Sequence, residues 1–147
     1  MSMFSAFDVN ASGLTAQRYR MDVISENVAN ASTTRTADGT PYRRKTVVFQ
    51  ERESQTPFSR VLNSATDRYA GKGVKVVGTY EDYETDLVKA YEPSHPDADE
   101  NGYVWYPNVN IITEMTNLID ASRAYEANAT AFDASKSMAL KGLEMAN

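Results

Sequence analysis

The chain has 147 residues, of which 41% are hydrophobic and 24% are charged, and it contains no cysteine. Its length suits one ordinary domain, and the lack of cysteine excludes disulfides, zinc–thiolate sites, iron–sulfur clusters and cysteine nucleophiles. No stretch approaches the roughly 18 apolar residues of a membrane span, and the first residues lack the basic and apolar regions of a cleaved signal peptide. We therefore expect no membrane insertion and, if the protein is exported, export without a cleaved signal peptide.

The formal net charge of −5 is distributed unevenly along the chain. Residues 36–80 sum to +4 and residues 81–107 to −7, whereas residues 1–35 and 108–147 sum to 0 and −2. A nucleic-acid-binding domain usually carries a basic face as a whole. A basic segment followed by an acidic one instead favours charge-matched contacts between protein surfaces, and we expect no nucleic-acid partner.

The first predicted element is a helix over residues 4–31, which Asn30 is expected to end in the left-handed conformation. Its apolar positions recur mostly at intervals of seven and form a narrow face. Such a face suits a partner helix better than a thick core, although the periodicity alone fits an ordinary helical bundle about equally well. The residues of this face are Phe7, Leu14, Met21, Ile24 and Val28.

The middle of the chain predicts a β-rich insertion. A polar loop with an Asp-Gly turn at residues 38–39 leads into short β-branched and aromatic runs. Residues 51–68 are mixed and polar, and we expect a flexible segment there. The domain organisation is therefore an N-terminal helix (1–34), a β-rich insertion (35–107) and a C-terminal helix (108–147). Strands are predicted over residues 42–50, 74–80, 87–91 and 102–106.

The longest predicted element is a helix over residues 108–145. Its apolar residues recur three and four positions apart, its charged residues, Glu114 among them, fall mostly between these, and its one glycine comes near the end. At about 1.5 Å per residue the helix would be roughly 50 Å long, which suggests a coiled coil or a helical array. The residues assigned to its main apolar face are Ile111, Met115, Leu118, Tyr125, Phe132 and Leu143.

Two long apolar faces predict that the terminal helices pair with each other. Burying one leucine or phenylalanine is worth roughly 1.5–3 kcal/mol, so neither face should remain in water. We expect a mainly α fold with a small β-rich insertion, in which the terminal helices form a coiled-coil-like hairpin. Because the C-terminal helix is apolar more than half way round in places, one partner helix would not cover it. This favours assembly with neighbouring subunits.

Residues 97–102 copy the first six positions of a calcium-binding EF-hand loop. The twelfth position is Asn108 instead of the bidentate glutamate, and strands instead of helices are predicted on both sides. We therefore expect a solvated hairpin or Asx turn, with a calcium-regulated binding protein as the weaker alternative.

No catalytic constellation is visible in the sequence. His95 is the only histidine, and there is no nucleophile elbow, glycine-rich phosphate loop or HExxH motif. We expect no enzymatic activity, no cofactor and no metal site.

Two further clusters have structural explanations. The basic residues 43–45 lie on a predicted strand, where they cannot share one face, and they fit a charged strand edge or a contact with an acidic neighbour. Tyr103, Trp105 and Tyr106 could stack on a ligand, but packing of the insertion onto the start of the long helix is favoured.

Several segments resemble a known family. The N-terminal stretches 11–18 (ASGLTAQR) and 21–31 (MDVISENVANA), followed by Thr33 and Thr34, closely resemble the signature of bacterial flagellar rod and hook proteins. Three further stretches resemble proximal-rod members of that family, and together they span nearly the full length, apart from residues 51–68. They are 93–104 (PSHPDADENGYV), 106–110 (YPNVN) and 119–128 (IDASRAYEAN).

The resemblance implies a non-catalytic structural subunit of the flagellar basal body. Such proteins pass through the flagellar type III export apparatus and build a tubular rod across the periplasm, with the terminal helices as an inner coiled-coil layer. The expected partners are other copies of the chain, the related rod proteins FlgB, FlgF and FlgG, and the FliE adaptor. The apolar positions of the two helices would then be the assembly interface. The rival interpretation is a soluble, non-polymerising helical adaptor or binding module.

Overall fold

The structure is a computed structural model that describes residues 3–52 and 72–145. In these ranges two long helices flank four short strands, so the prediction of a mainly α fold with a small β insertion is confirmed. Neither helix contains an apolar stretch long enough to cross a membrane. The elements are α1 (Met3–Ala29), β1 (Lys45–Glu51), β2 (Val74–Glu81), β3 (Val88–Tyr91), β4 (Tyr103–Tyr106) and α2 (Ile111–Met145).

Helix α1 ends at Ala29, but not in the predicted way. No residue other than glycine has a positive φ in the described ranges, so a left-handed stop at Asn30 is wrong. The Asn30 side-chain amide instead donates a hydrogen bond to the Glu26 carbonyl oxygen at 2.9 Å, and the Asn30 backbone N–H binds the same oxygen at 3.0 Å. These two donors satisfy the Glu26 carbonyl oxygen, one of the acceptors that the end of a helix leaves without a partner inside it.

Helix α2 begins at Ile111, three residues after the predicted start at residue 108, and runs for 35 residues. Asn110 caps it, since its side-chain oxygen accepts hydrogen bonds from the backbone N–H groups of Ile112 (3.0 Å) and Thr113 (3.2 Å). Asparagine is among the best N-cap residues because it satisfies donors that have no partner inside the helix. The cap explains why the helix does not start earlier.

The strands form two separate two-stranded sheets, β1 with β2 and β3 with β4. In the β3–β4 hairpin the strands are antiparallel, with Val88 opposite Tyr106 and Tyr91 opposite Tyr103. All four predicted strands are present, although β1 begins at Lys45 instead of residue 42. The segment predicted to be flexible, residues 51–68, lies from residue 53 onward outside the described residues.

The chain divides into two compact units that each draw on both helices. The terminal unit comprises Met1–Tyr19, Phe49–Val77 and Ser122–Asn147, and the central unit comprises Arg20–Val48 and Gly78–Ala121. Most of the buried side chains in the described ranges lie in the central unit, where Val104 and Ala121 are completely shielded from solvent. The central unit therefore holds the better-defined core.

Candidate assembly interface

The central unit is built around a buried asparagine on α1. Asn27 follows Ile24 by one helical turn and has no exposed surface. Its side-chain Nδ2 donates hydrogen bonds to the Lys45 carbonyl oxygen (2.8 Å) and to Glu114 Oε2 (2.9 Å). Its Oδ1 accepts hydrogen bonds from the Tyr42 hydroxyl and the Lys45 backbone N–H, both at 2.9 Å. The amide therefore uses its whole hydrogen-bonding capacity.

Glu114 brings the start of α2 into the same cluster and is only 1% exposed. Its Oε1 accepts a hydrogen bond from Arg44 Nε at 2.8 Å, and its Oε2 accepts the bond from Asn27. A carboxylate is tolerated in a protein interior only when it is paired and hydrogen-bonded, and both oxygens of Glu114 have partners. The sequence pattern places Glu114 among the charged residues outside the apolar face of the helix, whereas the structure buries it.

Asn108 completes the cluster just before α2. Its Oδ1 accepts a hydrogen bond from the Arg44 backbone N–H at 2.9 Å, and its Nδ2 donates to the carbonyl oxygens of Asp82 (3.0 Å) and Thr85 (3.1 Å). Three separated segments therefore meet the start of α2 through polar contacts. We call Asn27, Tyr42, Arg44, Asn108 and Glu114 the polar cluster.

Burial also affects the ionisation of Tyr42, which is 7% exposed. Desolvation is the main cause that raises the pKa of Tyr42 to about 12, and the nearby carboxylates of Glu26, Glu81 and Glu114 add to it. The neutral hydroxyl is thereby maintained as a donor to Asn27 over the whole neutral range.

The basic residues 43–45 contact carboxylate or carbonyl oxygens. Of the two explanations offered for them, a charged strand edge or a contact with an acidic neighbour, the second applies to Arg44 and Lys45. Arg44 pairs with Glu114, and Lys45 Nζ lies 2.6 Å from Glu26 Oε1. Arg43 donates a hydrogen bond to the Asp82 carbonyl oxygen at 3.1 Å. The positive charge of this segment is thus largely matched within the central unit.

The turn between β3 and β4 has the predicted hairpin and Asx-turn geometry. Asp99 Oδ1 accepts hydrogen bonds from the backbone N–H groups of Asn101 (2.8 Å) and Tyr103 (2.9 Å). The hydrogen bond from the Tyr103 backbone N–H is the main cause that lowers the pKa of Asp99. Asp97 accepts a hydrogen bond from the Thr34 hydroxyl at 2.8 Å. These carboxylates hold the turn, and in the described ranges no group of three or more potential ligands is placed to bind a metal ion.

The aromatic residues of β4 make ring and hydrogen-bond contacts within the hairpin, and their packing onto the start of α2 stays a prediction. The Lys89 ammonium lies 4.0 Å from the Tyr103 ring centroid and 5.1 Å from that of Trp105. The Tyr106 hydroxyl donates a hydrogen bond to Glu92 Oε2 at 3.0 Å. Trp105 remains 42% exposed, so one side of the hairpin presents aromatic surface to solvent.

In the terminal unit α1 and α2 contact each other directly. The rings of Phe7 and Phe132 meet edge to face with their centroids 5.1 Å apart. Gly13 of α1 lies against Asn128 of α2, because a Cβ at position 13 would come within 2.7 Å of Asn128 Oδ1. The predicted pairing of the terminal helices is therefore present at Phe7 and Phe132 within one chain.

The predicted interface residues differ widely in exposure, and their role in assembly stays a prediction. Ile24 is buried, while Ile111, Met115 and Leu143 are 52%, 47% and 62% exposed. The remaining members are half-buried, namely Phe7, Leu14, Met21, Val28, Leu118, Tyr125 and Phe132.

Known proteins resemble the chain over nearly its whole length. The family described as flagella basal body rod protein matches residues 7–35, and the flagellar basal body rod FlgEFG protein C-terminal family matches residues 100–145. The flagellar basal-body rod protein FlgC of Borreliella burgdorferi is 47% identical, over 94% of this chain and 93% of the relative. The FlgC proteins of Bacillus subtilis (46% identical, 99% of both chains) and Salmonella typhimurium (40% identical, 99% of this chain and 98% of the relative) also match. With these identities over almost the entire length, the chain belongs to the FlgC family of flagellar basal-body rod proteins.

Proposed function

We propose that this chain is a structural subunit of the flagellar proximal rod, and that it assembles through its terminal helices into the periplasm-crossing shaft that transmits motor torque. Membership of a family of basal-body rod proteins supports the structural, non-catalytic role. The mode of assembly is supported by a separate observation, the apolar surface that α2 leaves in contact with solvent.

That surface lies near both ends of α2. In the central unit Ile111, Ile112, Met115 and Ile119 are between 47% and 79% exposed. In the terminal unit four further apolar side chains are between 53% and 83% exposed: Met138, Leu140, Leu143 and Met145. Burial of each such side chain is worth roughly 1.5–3 kcal/mol, and contiguous apolar surface on a soluble protein usually marks a contact site. This is the observation that carries the proposal.

The proposed partners follow from the resemblance to flagellar rod proteins. They are other copies of the chain, the related rod proteins FlgB, FlgF and FlgG, and the FliE adaptor, with export through the flagellar type III apparatus. Long helices with apolar sides can contact several neighbours at once, so a torsional load would be spread over many contacts. No pocket or bound group is needed for such a role.

The polar cluster contributes stiffness to the proposed shaft. Asn27 and Glu114 join α1 to the start of α2 through hydrogen bonds that are shielded from water. Hydrogen bonds in a low-dielectric interior are stronger than those at the surface, and a fully satisfied cluster resists local opening. A subunit that transmits torque needs such a rigid connection between its own helices before it can pass the load to its neighbours.

Aspartate substitutions on the half-buried sides of the helices test the proposal. Leu14→Asp and Leu118→Asp should abolish rod assembly and swimming, because each places a charge where an apolar contact is required, while the chain is still exported. Ser25→Asp and Thr130→Asp are the matched controls, since both are exposed polar residues on the same helices and neither belongs to the apolar surface of α2 described above. Rods are scored by electron microscopy of purified basal bodies, and swimming is scored in soft agar.

The proposal is wrong if the leucine variants swim normally. It is also wrong if the parental chain is missing from purified basal bodies. In that case sedimentation of the purified chain over a range of concentrations, with and without the related rod proteins, would identify a soluble adaptor that forms no polymer.

A further inference from the structure

The β3–β4 hairpin has one side with exposed aromatic surface. Its register places Tyr91 opposite Tyr103 and Lys89 opposite Trp105, and because side chains alternate along a strand these four lie on one side. Tyr91 is 66% exposed and Trp105 is 42% exposed, whereas Val104, on the other side, is fully buried. We call these four residues the aromatic face. Large exposed aromatic side chains are typical of the centres of protein–protein contacts.

The segment that carries the aromatic face is strongly acidic. Residues 81–107 contain eight acidic side chains and a single basic one, Lys89. Asp86 and Glu100, which precede β3 and β4, are exposed and have no side-chain partner among the described residues. A surface that binds this hairpin must therefore have an apolar groove for the aromatic side chains and basic residues without acidic partners.

The terminal unit offers such a surface. A groove of about 470 Å³ lies there between α1 and the paired ends of β1 and β2, and its volume is within the range of roughly 300–1,000 Å³ that accommodates bulky groups. The groove has apolar walls, and its charged lining residues are two cations, Arg52 and Lys75, and one carboxylate, Asp8, so its net charge is positive. The apolar walls are formed by Ala11, Ala16, Tyr19 and Val76. Both cations are exposed and have no acidic partner within residues 3–52 and 72–145.

We propose that the aromatic face of one copy docks into this groove on a second copy of the same chain. The inference rests on the proposed function and names one of the contacts through which the rod would be built. The two surfaces are complementary in charge and both belong to every copy, so each subunit can donate its aromatic face and receive another. Such a heterologous contact does not close on itself unless the rotation forms a ring, and it otherwise generates an open helical array, which is the form of a rod.

Cysteine cross-linking in basal bodies tests the contact directly, because the chain contains no cysteine. One gene copy would carry Tyr91→Cys on the aromatic face and a second copy would carry Thr15→Cys in the groove, both expressed in a strain that lacks the chromosomal gene. We expect a cross-linked dimer that contains one chain of each kind, recovered from purified basal bodies. Ala131→Cys, at an exposed position of α2, replaces Thr15→Cys in the control pair and should give no such dimer.

A charge exchange tests whether complementarity is what holds the contact. Asp86→Lys with Glu100→Lys should reduce the cross-linked product about tenfold or more, since like charges across a contact are strongly unfavourable. Arg52→Glu with Lys75→Glu on the receiving copy should restore it. The matched control, Asp22→Lys with Asp38→Lys, changes the net charge equally at exposed sites outside the aromatic face and should have no effect.

Each result decides between the two proposals. If the chain is present in basal bodies but no mixed dimer forms, the docking is wrong and the proposed rod function stands. The docking is equally wrong if Tyr91→Cys, in a chain that also carries Thr15→Cys, cross-links within its own chain or to a different flagellar protein, as identified by mass spectrometry. If the parental chain is not found in basal bodies at all, the proposed function fails as well.

Discussion

Asn27 and Glu114 are 87 positions apart in the sequence, yet Asn27 Nδ2 donates a hydrogen bond to Glu114 Oε2 at 2.9 Å in the interior of the central unit. The contact joins the last turns of α1 to the first turn of α2. Both side chains are almost completely buried, and Asn27 Nδ2, Asn27 Oδ1 and Glu114 Oε1 each have further partners among residues 42–45. The pair therefore specifies how the two helices meet, because a shift of either helix would leave buried polar groups without partners.

Removing the carboxylate of Glu114 should strongly destabilise the isolated protein. Glu114→Leu removes the acceptor of Arg44 Nε and one of the two acceptors of the Asn27 amide, and breaking a buried pair in this way costs about 3–5 kcal/mol. Glu114→Gln keeps the shape and one acceptor, so we expect a smaller loss of about 1–3 kcal/mol. The free energy of unfolding is measured by urea titration followed by circular dichroism.

The exposed pair between Lys45 and Glu26 provides the control for this prediction. Its two side chains are 28% and 44% exposed, and surface ion pairs contribute no more than about 1 kcal/mol. Glu26→Gln should therefore change the free energy of unfolding by less than either Glu114 variant. Equal losses for Glu26→Gln and Glu114→Leu would contradict the central position that we assign to Glu114.

The stability of the protein should fall at alkaline pH because of Tyr42. Its pKa is about 12 in the folded protein, above the ordinary value of 10.0, so ionisation favours the unfolded chain. This contribution is complete below about pH 10 and is lost as the pH rises from there towards 12. Tyr42→Phe should lower the free energy of unfolding by about 1 kcal/mol at neutral pH, since Asn27 loses a donor, and should flatten the alkaline decline.

Tyr83 is the matched control for Tyr42. Its hydroxyl hydrogen-bonds to Glu81, which raises its pKa, but the side chain is 70% exposed. Tyr83→Phe should therefore leave both the neutral stability and the alkaline decline close to those of the parent. An alkaline decline that disappears in Tyr83→Phe and persists in Tyr42→Phe would show that the assignment to Tyr42 is wrong.

Both helices and all four strands could be predicted because their patterns are local. The buried Ile24 and the Phe7–Phe132 contact lie on the faces that helical spacing indicates. The polar cluster could not be predicted in the same way, since its members come from distant segments and become partners only when the chain folds. One signal was available, however: Asn27 follows Ile24 by three residues and Glu114 follows Ile111 by three, so each polar residue shares a helical face with an apolar one.

Gly13 should lower the intrinsic stability of α1 but allow Asn128 of α2 to approach closely. Alanine in place of glycine stabilises a helix interior by about 0.8–1 kcal/mol, but a Cβ at position 13 would meet Asn128 Oδ1 at 2.7 Å. We expect Gly13→Ala to give little or no stabilisation, and Gly13→Ala combined with Asn128→Ala to be more stable than Asn128→Ala alone. Thermal unfolding of the four proteins forms the double-mutant cycle.

Position 142 provides the comparison for Gly13, because a Cβ there would meet no other atom within 4 Å. Gly142→Ala should raise or leave unchanged the melting temperature of the parental protein, without help from a second substitution. If Gly13→Ala by itself stabilises the protein as much as helix propensity allows, then Asn128 adjusts freely and the close contact has no energetic weight.

The rates of backbone hydrogen exchange should differ between the two ends of α2 in the isolated protein and should become similar in the rod. The start of the helix includes the buried Glu114 and Ala121, whereas Leu143 and Met145 at its end are 62% and 83% exposed. Backbone amides near Glu114 can exchange only when the core of the central unit opens, while those near Leu143 are covered by few side chains and should exchange much faster.

If assembly buries the exposed apolar residues as proposed, protection near Leu143 should rise in purified rods by more than tenfold. This is a change of about 1.4 kcal/mol in the opening equilibrium, which one buried leucine would supply. Unchanged exchange near Leu143 in the rod, with increased protection elsewhere along α2, would show that the end of the helix is not part of the interface.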